Sequence, residues 1–552
     1  MNETNEIIVK KPFTVNIKKL LRKAEYRFGD CDNIFILERE ASCAYDETRG
    51  RIKYPRMYSA VCRAARSVCL LLDSGAEYSS LNTEPFVRAV NDMQSGLEFS
   101  YSELCMLKEY AAIYALTEAG DEKCDLRLFD NLISVLRFIS DIDFDEFLSF
   151  VSKPEKVLLK SEGFILSDSD TRSACRINVT HYAKKHGITE TSASKKLIET
   201  DMLFEPDRAV SAYYFPAMYT LTALFTALSA CFIGFLIPVF LILPFSELAK
   251  YICDFFFSRA VKPSPIPKLN EESVPDNAKT LVVFAALLTG GRGDSEIFKR
   301  LREAYYSNRG ENVRFGILAD LKDSKSEMSA SDEEIINNAK REIDKLNEDD
   351  KEVFFLFTRK RVFSESENKY IGWERKRGAV VSLVRLIKES ESTGSGASSG
   401  DSSDSAAQKS VLLPYGADEA FLGDVKYVIT LDSDTRLYHG AVNDMVRAML
   451  HPANKPEICG GIVKKGYGIM QPRMDPALDS TSRTRFSMLL GGAGGSDIYS
   501  LASYETYQSL FGEGIFCGKG IFDTDAFYKV LNHAFPEETV LSHDLLEGAR
   551  LN

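Results

Sequence analysis

The residues of this chain whose chemistry is easiest to name are carboxylates that close apolar runs. Val313–Ala319 reads as a buried strand, and Asp320 follows it in GILAD. Tyr427–Leu431 reads as another, and Asp432 and Asp434 follow in YVITLDSDT. In an open parallel sheet the ligand lies at the carboxyl ends of the strands. An Asp-x-Asp on a tight turn there aims two hard oxygen ligands at one place, which suits Mg²⁺ or Mn²⁺ bridging a diphosphate. Acidic pairs in loops are usually just solvated; the position after a Val/Ile strand is what favours the chemical reading. The segment GWERKRG (372–378) holds the only tryptophan and three consecutive cations, Arg375, Lys376 and Arg377. Opening a helix, they could bind a diphosphate by charge and by helix N-terminal amides. A solvated basic patch is the plainer alternative.

Downstream, Gln471-Pro472-Arg473 follows GYGIM, and FGEGIFCGKGIF (511–522) carries four glycines around Phe516, Gly518 and Lys519. Such spacing permits close backbone approach to a ligand, although glycine turns also serve folding. VLSHDLLEG (540–548) gathers His543, Asp544 and Glu547. Its Ser-His-Asp run is not a triad, because triad members come from separate elements. Asp544 is better read as a single general base that accepts a hydroxyl proton.

The elements that must position these groups follow from periodicity. Thr280–Leu288 is a continuous apolar run, as a doubly covered parallel strand requires. Helical patterns at 296–306, 332–346 and 377–387 alternate with strands at 313–319, 353–357 and 427–431, which predicts a doubly wound α/β domain over 265–552. A low-complexity loop (390–409) interrupts it. Residues 1–208 read as helical, with apolar spacing in Tyr58–Leu72, Ser102–Leu116 and Asp130–Phe150. No metal spacing or nucleophile motif occurs there, and His181 and His186 read as structural or surface residues.

Between the two lies a stretch of different character. From Ala209 to Ser246, 38 residues carry no charge, where one spanning helix needs only ~20. Pro238 and Pro244 offer break points, so a transmembrane hairpin over 212–257 within a 209–260 membrane region is expected. Glu247, Lys250 and Asp254 share one helical face. Lys195, Lys196 and Arg208 precede the segment and Arg259, Lys262 and Lys268 follow it, which places both flanks on the cytoplasmic side. KPSPIPK (262–268) reads as a linker.

Composition agrees with a folded rather than a disordered protein: 45% hydrophobic and 27% charged residues. The net charge of −12 opposes non-specific nucleic-acid binding, so nucleic acid is not an expected partner. Eleven cysteines without a C-x-x-C pair suggest reduced thiols rather than a disulfide scaffold. The opening MNETNEIIVKKPF lacks an apolar run, so a secretory leader is not expected.

Taken in order, the motifs resemble a GT-A glycosyltransferase of the processive β-glycan synthase type. The matching positions are Asp320, Lys376–Arg377–Gly378, Asp432/Asp434, Phe516–Cys517–Gly518 and His543–Asp544, with His543 where an acidic residue is usual. GWERKRG, YVITLDSDT, GYGIMQPR, the Ser480–Arg485 segment, LFGEGIFCGKGIFDTDAF and LSHDLLEG are more closely similar to the glycosyltransferase region of cyclic β-1,2-glucan synthases. The resemblance implies an α/β GT-A-like nucleotide-sugar-binding domain, preceded by a mainly helical region and a transmembrane helical hairpin. It implies a UDP-glucose donor, a glucan acceptor, inversion, a β-1,2-glucan product and an inner-membrane, multi-pass location with a cytoplasmic catalytic domain. It also assigns roles. Asp320, Lys376, Arg377, Asp432 and Asp434 bind the nucleotide sugar, and Asp432 and Asp434 hold the metal. Gln471, Arg473, Phe516, Gly518 and Lys519 meet the acceptor, and Asp544 is the base. The family continues well past the base, so this chain is expected to be a fragment or truncated product that binds donor more readily than it polymerises. A non-catalytic membrane scaffold that binds nucleotide sugar is the competing reading. A phosphatase or nucleotidase lacks a nucleophile motif.

Overall fold

The computed structural model describes residues 11–94, 98–205, 208–234, 236–261, 265–350, 352–395, 412–416, 419–474, 477, 482–490, 506–512, 514, 516–532, 534–536, 539–540 and 543–551. Most of the low-complexity loop lies outside them. So do the first residues of the KPSPIPK linker, Ser480, and Leu541–Ser542 of the last motif. The chain forms two compact units, one of residues 1–165 with 172–205 and the other of 166–171 with 206–552.

The first unit is helical, as its apolar spacing predicts. Its core is built from large buried rings, Phe86, Phe99, Tyr110, Phe129, Phe147 and Phe164 among them. Two of the expected helices are each broken in two. Ser102–Leu116 becomes Tyr101–Leu104 and Leu107–Ala119, and Asp130–Phe150 becomes Leu126–Asp141 and Phe144–Val151. In the second case Asp143 takes extended backbone and its carboxylate accepts from the amides of Asp145 and Glu146, which starts a new helix. Apolar periodicity alone runs across such a break without registering it.

The second unit opens with two long helices, α1 (Tyr214–Ile233) and α2 (Ile242–Ala260). They pair antiparallel. The Tyr214 hydroxyl donates to Asp254 at 2.7 Å, while Phe225 meets Phe245 with ring centroids 6.1 Å apart. The connection between them runs from Gly234 through a short helix, Leu236–Phe240, that holds Pro238, one of the two expected break points; Pro244 is not a break. Gly234 ends α1 with φ +79°, which other residues rarely adopt. Pro244 lies in the first turn of α2, where its missing N–H costs nothing. Among the described residues, Ala209–Phe232 is the helix long and apolar enough to cross a membrane, with mean hydropathy 1.4 and no buried share. α2 carries Glu247, Lys250, Asp254 and Arg259. Lys250 and Asp254 pair at 3.3 Å, and Asp254 faces α1 through Tyr214.

The remainder is a seven-stranded mixed sheet: β1 (Thr280–Leu288), β2 (Val313–Leu321), β3 (Phe354–Arg359), β4 (Leu412–Gly416), β5 (Tyr427–Asp432), β6 (Ile469–Met470) and β7 (Gly520–Asp523). The spatial order is β6-β7-β5-β1-β2-β3-β4. β5, β1, β2 and β3 are parallel, whereas β4, β7 and β6 each run antiparallel to the neighbour they join. The expected parallel strands and their helices are present: α3 (Arg292–Asn308), α4 (Ala330–Asp350) and α5 (Arg375–Ser395) follow β1, β2 and β3. The three antiparallel strands are additions to the expected parallel sheet. Each is short, and glycine or proline in LLPYG and GIFD gives a sequence no strand signature. β1 pairs with β2 on one side and β5 on the other, so the strand order reverses beside β1. That switch point is where open α/β sheets bind ligands.

Residues 166–171 of the expected N-terminal region belong to this second unit. Ser167 bridges Leu269, and Asp168 pairs with Arg447 at 3.0 Å. A buried ion pair fixes the start of α4: Arg361 reaches both Asp332 carboxylate oxygens at 2.7 and 2.9 Å. Those bonds hold the Asp332 pKa far below the usual carboxylate range. The stabilisation is therefore complete above the unfolded carboxylate value of ~3.9 and is lost as pH falls through the lowered pKa. Arg361→Ala leaves Asp332 buried and uncompensated, and should destabilise the second unit by about 3 kcal/mol or more at pH 7. Urea unfolding in detergent measures this, and a change below ~0.5 kcal/mol contradicts it.

Candidate active site

The site is built at the carboxyl ends of β2, β1 and β5. Register places Leu287 of β1 opposite Asp320 and Ala285 opposite Asp432. The two residues thus flank one strand from opposite sides, offset by two residues along it. Beside β1 lies a cavity of about 210 Å³ with an apolar wall of Ala285, Ala286, Leu318 and Ala379, and with Asp320, Lys376 and Asp432 at its edge.

Asp320 is held by a residue that the sequence did not single out. Arg359, the last residue of β3, is buried and donates from Nε to Oδ1 at 2.6 Å and from Nη2 to Oδ2 at 2.8 Å. The same guanidinium donates to the carbonyls of Trp373 at 2.8 Å and Arg375 at 2.6 Å. Those bonds hold the turn into α5, where Glu374 and Arg375 both take φ +50°. Two successive non-glycine residues in that region are strained and persist only where surroundings fix them. Gly372 is required by the same packing, since a Cβ there would lie 2.8 Å from Asp320 Oδ2.

Lys376 links this cavity to a second group of residues. Its ammonium bonds Asp432 Oδ1 at 2.5 Å and the Gly518 carbonyl at 2.8 Å. Lys519 reaches Asp432 Oδ2 at 3.2 Å. Burial opposes ionisation of Asp432, but the bonds from Lys376 and Lys519 prevail and lower its pKa. Lys519 is correspondingly raised: burial works against its charge and Asp432 outweighs that. Asp434 is exposed two residues on, in a turn closed by the Thr435 amide on the Asp432 carbonyl at 3.0 Å. Arg300 from α3 holds the Ser433 carbonyl between them.

Across Gly518 stands Asp544, the first residue of the helix α6 (Asp544–Leu551). Gly518 has φ +77°, and a Cβ there would meet the Asp544 carboxylate at 2.8 Å. The glycine is what lets strand-end and helix approach. His543, Asp544 and Glu547 bring three ligand-capable atoms within 4.8 Å of one another. His543 Nε2 lies 3.6 Å from Asp544 Oδ1 and 3.8 Å from Glu547 Oε1. Burial, then Arg377 and Lys376, depress His543 to about 4, so it is neutral at pH 7. Burial raises the Asp544 pKa; Lys376 opposes this and Asp432 adds to it. Glu547 is pushed up to about 8 by burial and by Asp544.

The structure therefore brings Asp320, Lys376, Asp432, Gly518, Lys519 and Asp544 into one connected region. Lys519, expected at the acceptor, sits instead on Asp432. Arg377 does not line the cavity beside Asp320: it pairs with Glu374 at 3.3 Å and lies over the Phe535 ring. Phe516 is buried in the core with Phe522 and Phe527 while lining a tight gap with Lys376 and Asp544. Gln471 acts through the backbone, its Oε1 accepting from the Cys517 amide at 2.8 Å. Arg473 is exposed. Arg359 could have been suspected from a cation closing a strand, and Arg300 had no sequence signal.

Glu547 gives a pH test with a definite sign. Its folded pKa, about 8, exceeds the ordinary glutamate value, so its contribution is intact below the unfolded pKa and is lost as pH rises towards 8. His543 works the other way between about 4 and its ordinary value. The comparison with Glu547→Gln isolates the glutamate. The variant should gain roughly 2–4 kcal/mol over wild type at pH 8 relative to pH 4.5. Urea unfolding at both pH values measures this, and parallel curves contradict it.

No protein-family model matches the chain. It is 36% identical over 315 residues, 56% of its length, to the cyclic beta-(1,2)-glucan synthase NdvB of Rhizobium meliloti (strain 1021). Those residues correspond to 10% of that much longer protein, so the chain spans only a small part of the relative it matches. At that identity over that length, the chain is a relative of a cyclic β-(1,2)-glucan synthase.

Proposed function

We propose that this chain carries the donor-binding and base residues of a membrane-bound, inverting glucosyltransferase that uses UDP-glucose to extend a β-1,2-glucan. The observation that supports it most is the convergence of Asp320, Lys376, Asp432 and Asp544 at the sheet's switch point. The sheet itself, with its parallel centre and antiparallel β7, is compatible with a GT-A fold. The alanine-walled cavity suits a flat base, with Asp320 fixed by Arg359 to accept from the nucleoside. Lys376 and Lys519 would exchange their contacts with Asp432 for a diphosphate. Positive charge there stabilises the leaving group as the sugar bond breaks.

Asp432 and Asp434 would hold a Mg²⁺ or Mn²⁺, which supplies charge neutralisation on the diphosphate when bound. The donor set fits. It is all hard oxygen, and the buried Thr435 Oγ1 next to it has no hydrogen-bond partner among the described residues. Asp544, with Lys376 and Lys519 nearby, takes the proton from the attacking acceptor hydroxyl. α1, and α2 paired to it, would seat the unit on the cytoplasmic face of the membrane.

Calorimetry on the detergent-solubilised chain tests the donor half. UDP should bind, EDTA should weaken binding, and Asp434→Asn should weaken it similarly. Asp544→Asn should leave UDP affinity nearly unchanged but lower glucosyl transfer ~10²-fold or more in a form of the enzyme that transfers. Equal UDP binding with the metal chelated removes Asp432 and Asp434 from the metal role.

A further inference from the structure

The first unit carries a strongly charged surface. It lies on the helix Ile17–Phe28. Residues 10–28 carry seven cations and a single acid, Glu25, in a chain whose net charge is −12. The helix is firmly placed. Asn16 caps it through the Lys19 amide at 3.0 Å, and Ile17, Ala24 and Phe28 are buried in the core. Arg27, near its end, donates to the carbonyls of Glu122 and Cys124 at 3.1 and 2.5 Å.

The opposite face is basic throughout. At 3.6 residues per turn, Lys18, Arg22, Tyr26, Lys19 and Lys23 fall in that order within an arc of about 140°. All five are exposed. Glu25 falls just outside the arc, beside Lys18. Among the described residues, Lys19, Arg22 and Lys23 form no ion pair, whereas most cations elsewhere near the sheet are paired with carboxylates. Tyr26 stands in the middle of the arc, 92% exposed, with no packing role to account for it. An open hollow of about 850 Å³ borders this face.

We propose that this helix face docks on an anionic lipid surface, the four cations meeting headgroup phosphates and the Tyr26 ring entering the interfacial zone. Unpaired cations at this density gain most from a surface of like-spaced negative charge. An amphipathic ring with a polar tip favours the water–lipid boundary over bulk water. Nucleic acid also offers phosphates, and the exposed Tyr26 beside the cations is what favours a lipid boundary. The choice of a lipid surface over other anions leans on the membrane reading of α1 above. The patch itself does not.

The test can be made on residues 1–205, because every residue of that unit's buried core lies between Ile17 and Leu203. This piece lacks α1 and α2, so failure here leaves the membrane reading of those helices standing. Flotation with vesicles of phosphatidylcholine should show little binding, and vesicles with about 30% phosphatidylglycerol should carry the protein. About 0.5 M NaCl should release it. Lys19→Glu with Arg22→Glu and Lys23→Glu should weaken binding by about tenfold or more at unchanged thermal melting, and Tyr26→Ala should weaken it less. Equal binding to both vesicle types, no binding, or full binding by the triple variant overturns the proposal. Tight binding of single-stranded RNA with indifference to anionic vesicles overturns it as well.

Discussion

The second unit is organised around one buried guanidinium. Arg359 ends β3, grips both carboxylate oxygens of Asp320 at the end of β2, and holds the Trp373 and Arg375 carbonyls of the turn into α5. A buried charge is tolerated only when its donors are matched, and this one is matched by two segments, the end of β2 and the turn into α5. The strained turn it stabilises sets where α5 begins. The start of α5 in turn sets where Lys376 reaches Asp432 and the Gly518 carbonyl. Positions more than a hundred residues apart in sequence are thereby fixed to one another.

The second organising feature is a group of neighbouring carboxylates in different surroundings. Asp432 is held ionised by two lysines, while Asp544 and Glu547, a few residues from each other on one short helix, are pushed towards their neutral forms. Acids in one neighbourhood with pKa values driven apart can divide the labour of binding and proton transfer. The division arises from partners: Asp432 has Lys376 and Lys519, whereas Glu547 has burial and another acid. Nothing in the residue types themselves separates them.

Much of the fold was legible. The apolar runs at Thr280–Leu288, Val313–Ala319 and Tyr427–Leu431 are strands because β-branched and aromatic residues covered on both faces have few other stable options. The helices between them follow from their amphipathic spacing. The short antiparallel strands were not legible, since Ile469–Met470 and Gly520–Asp523 are strands only because a neighbour supplies the hydrogen bonds. Of the two prolines expected to break the hairpin, Pro238 lies in the connection, while Pro244 sits harmlessly in a first helical turn; Gly234 with positive φ is what ends the first helix.

For the site, the sequence determined which groups were available. Carboxylates after strands, a basic run at a helix start, glycines beside an aromatic and a late His-Asp pair are all properties of local order. Tertiary structure decided what each group touches. It moved Lys519 onto Asp432, turned Arg377 towards Glu374 and Phe535, and set Arg359 behind Asp320. It also buried Glu547 beside Asp544. Those outcomes depend on distances of 3 to 4 Å between residues remote in sequence, and on how much water burial removes. Charge pairing and desolvation act through space, so no local pattern of residues could have carried them.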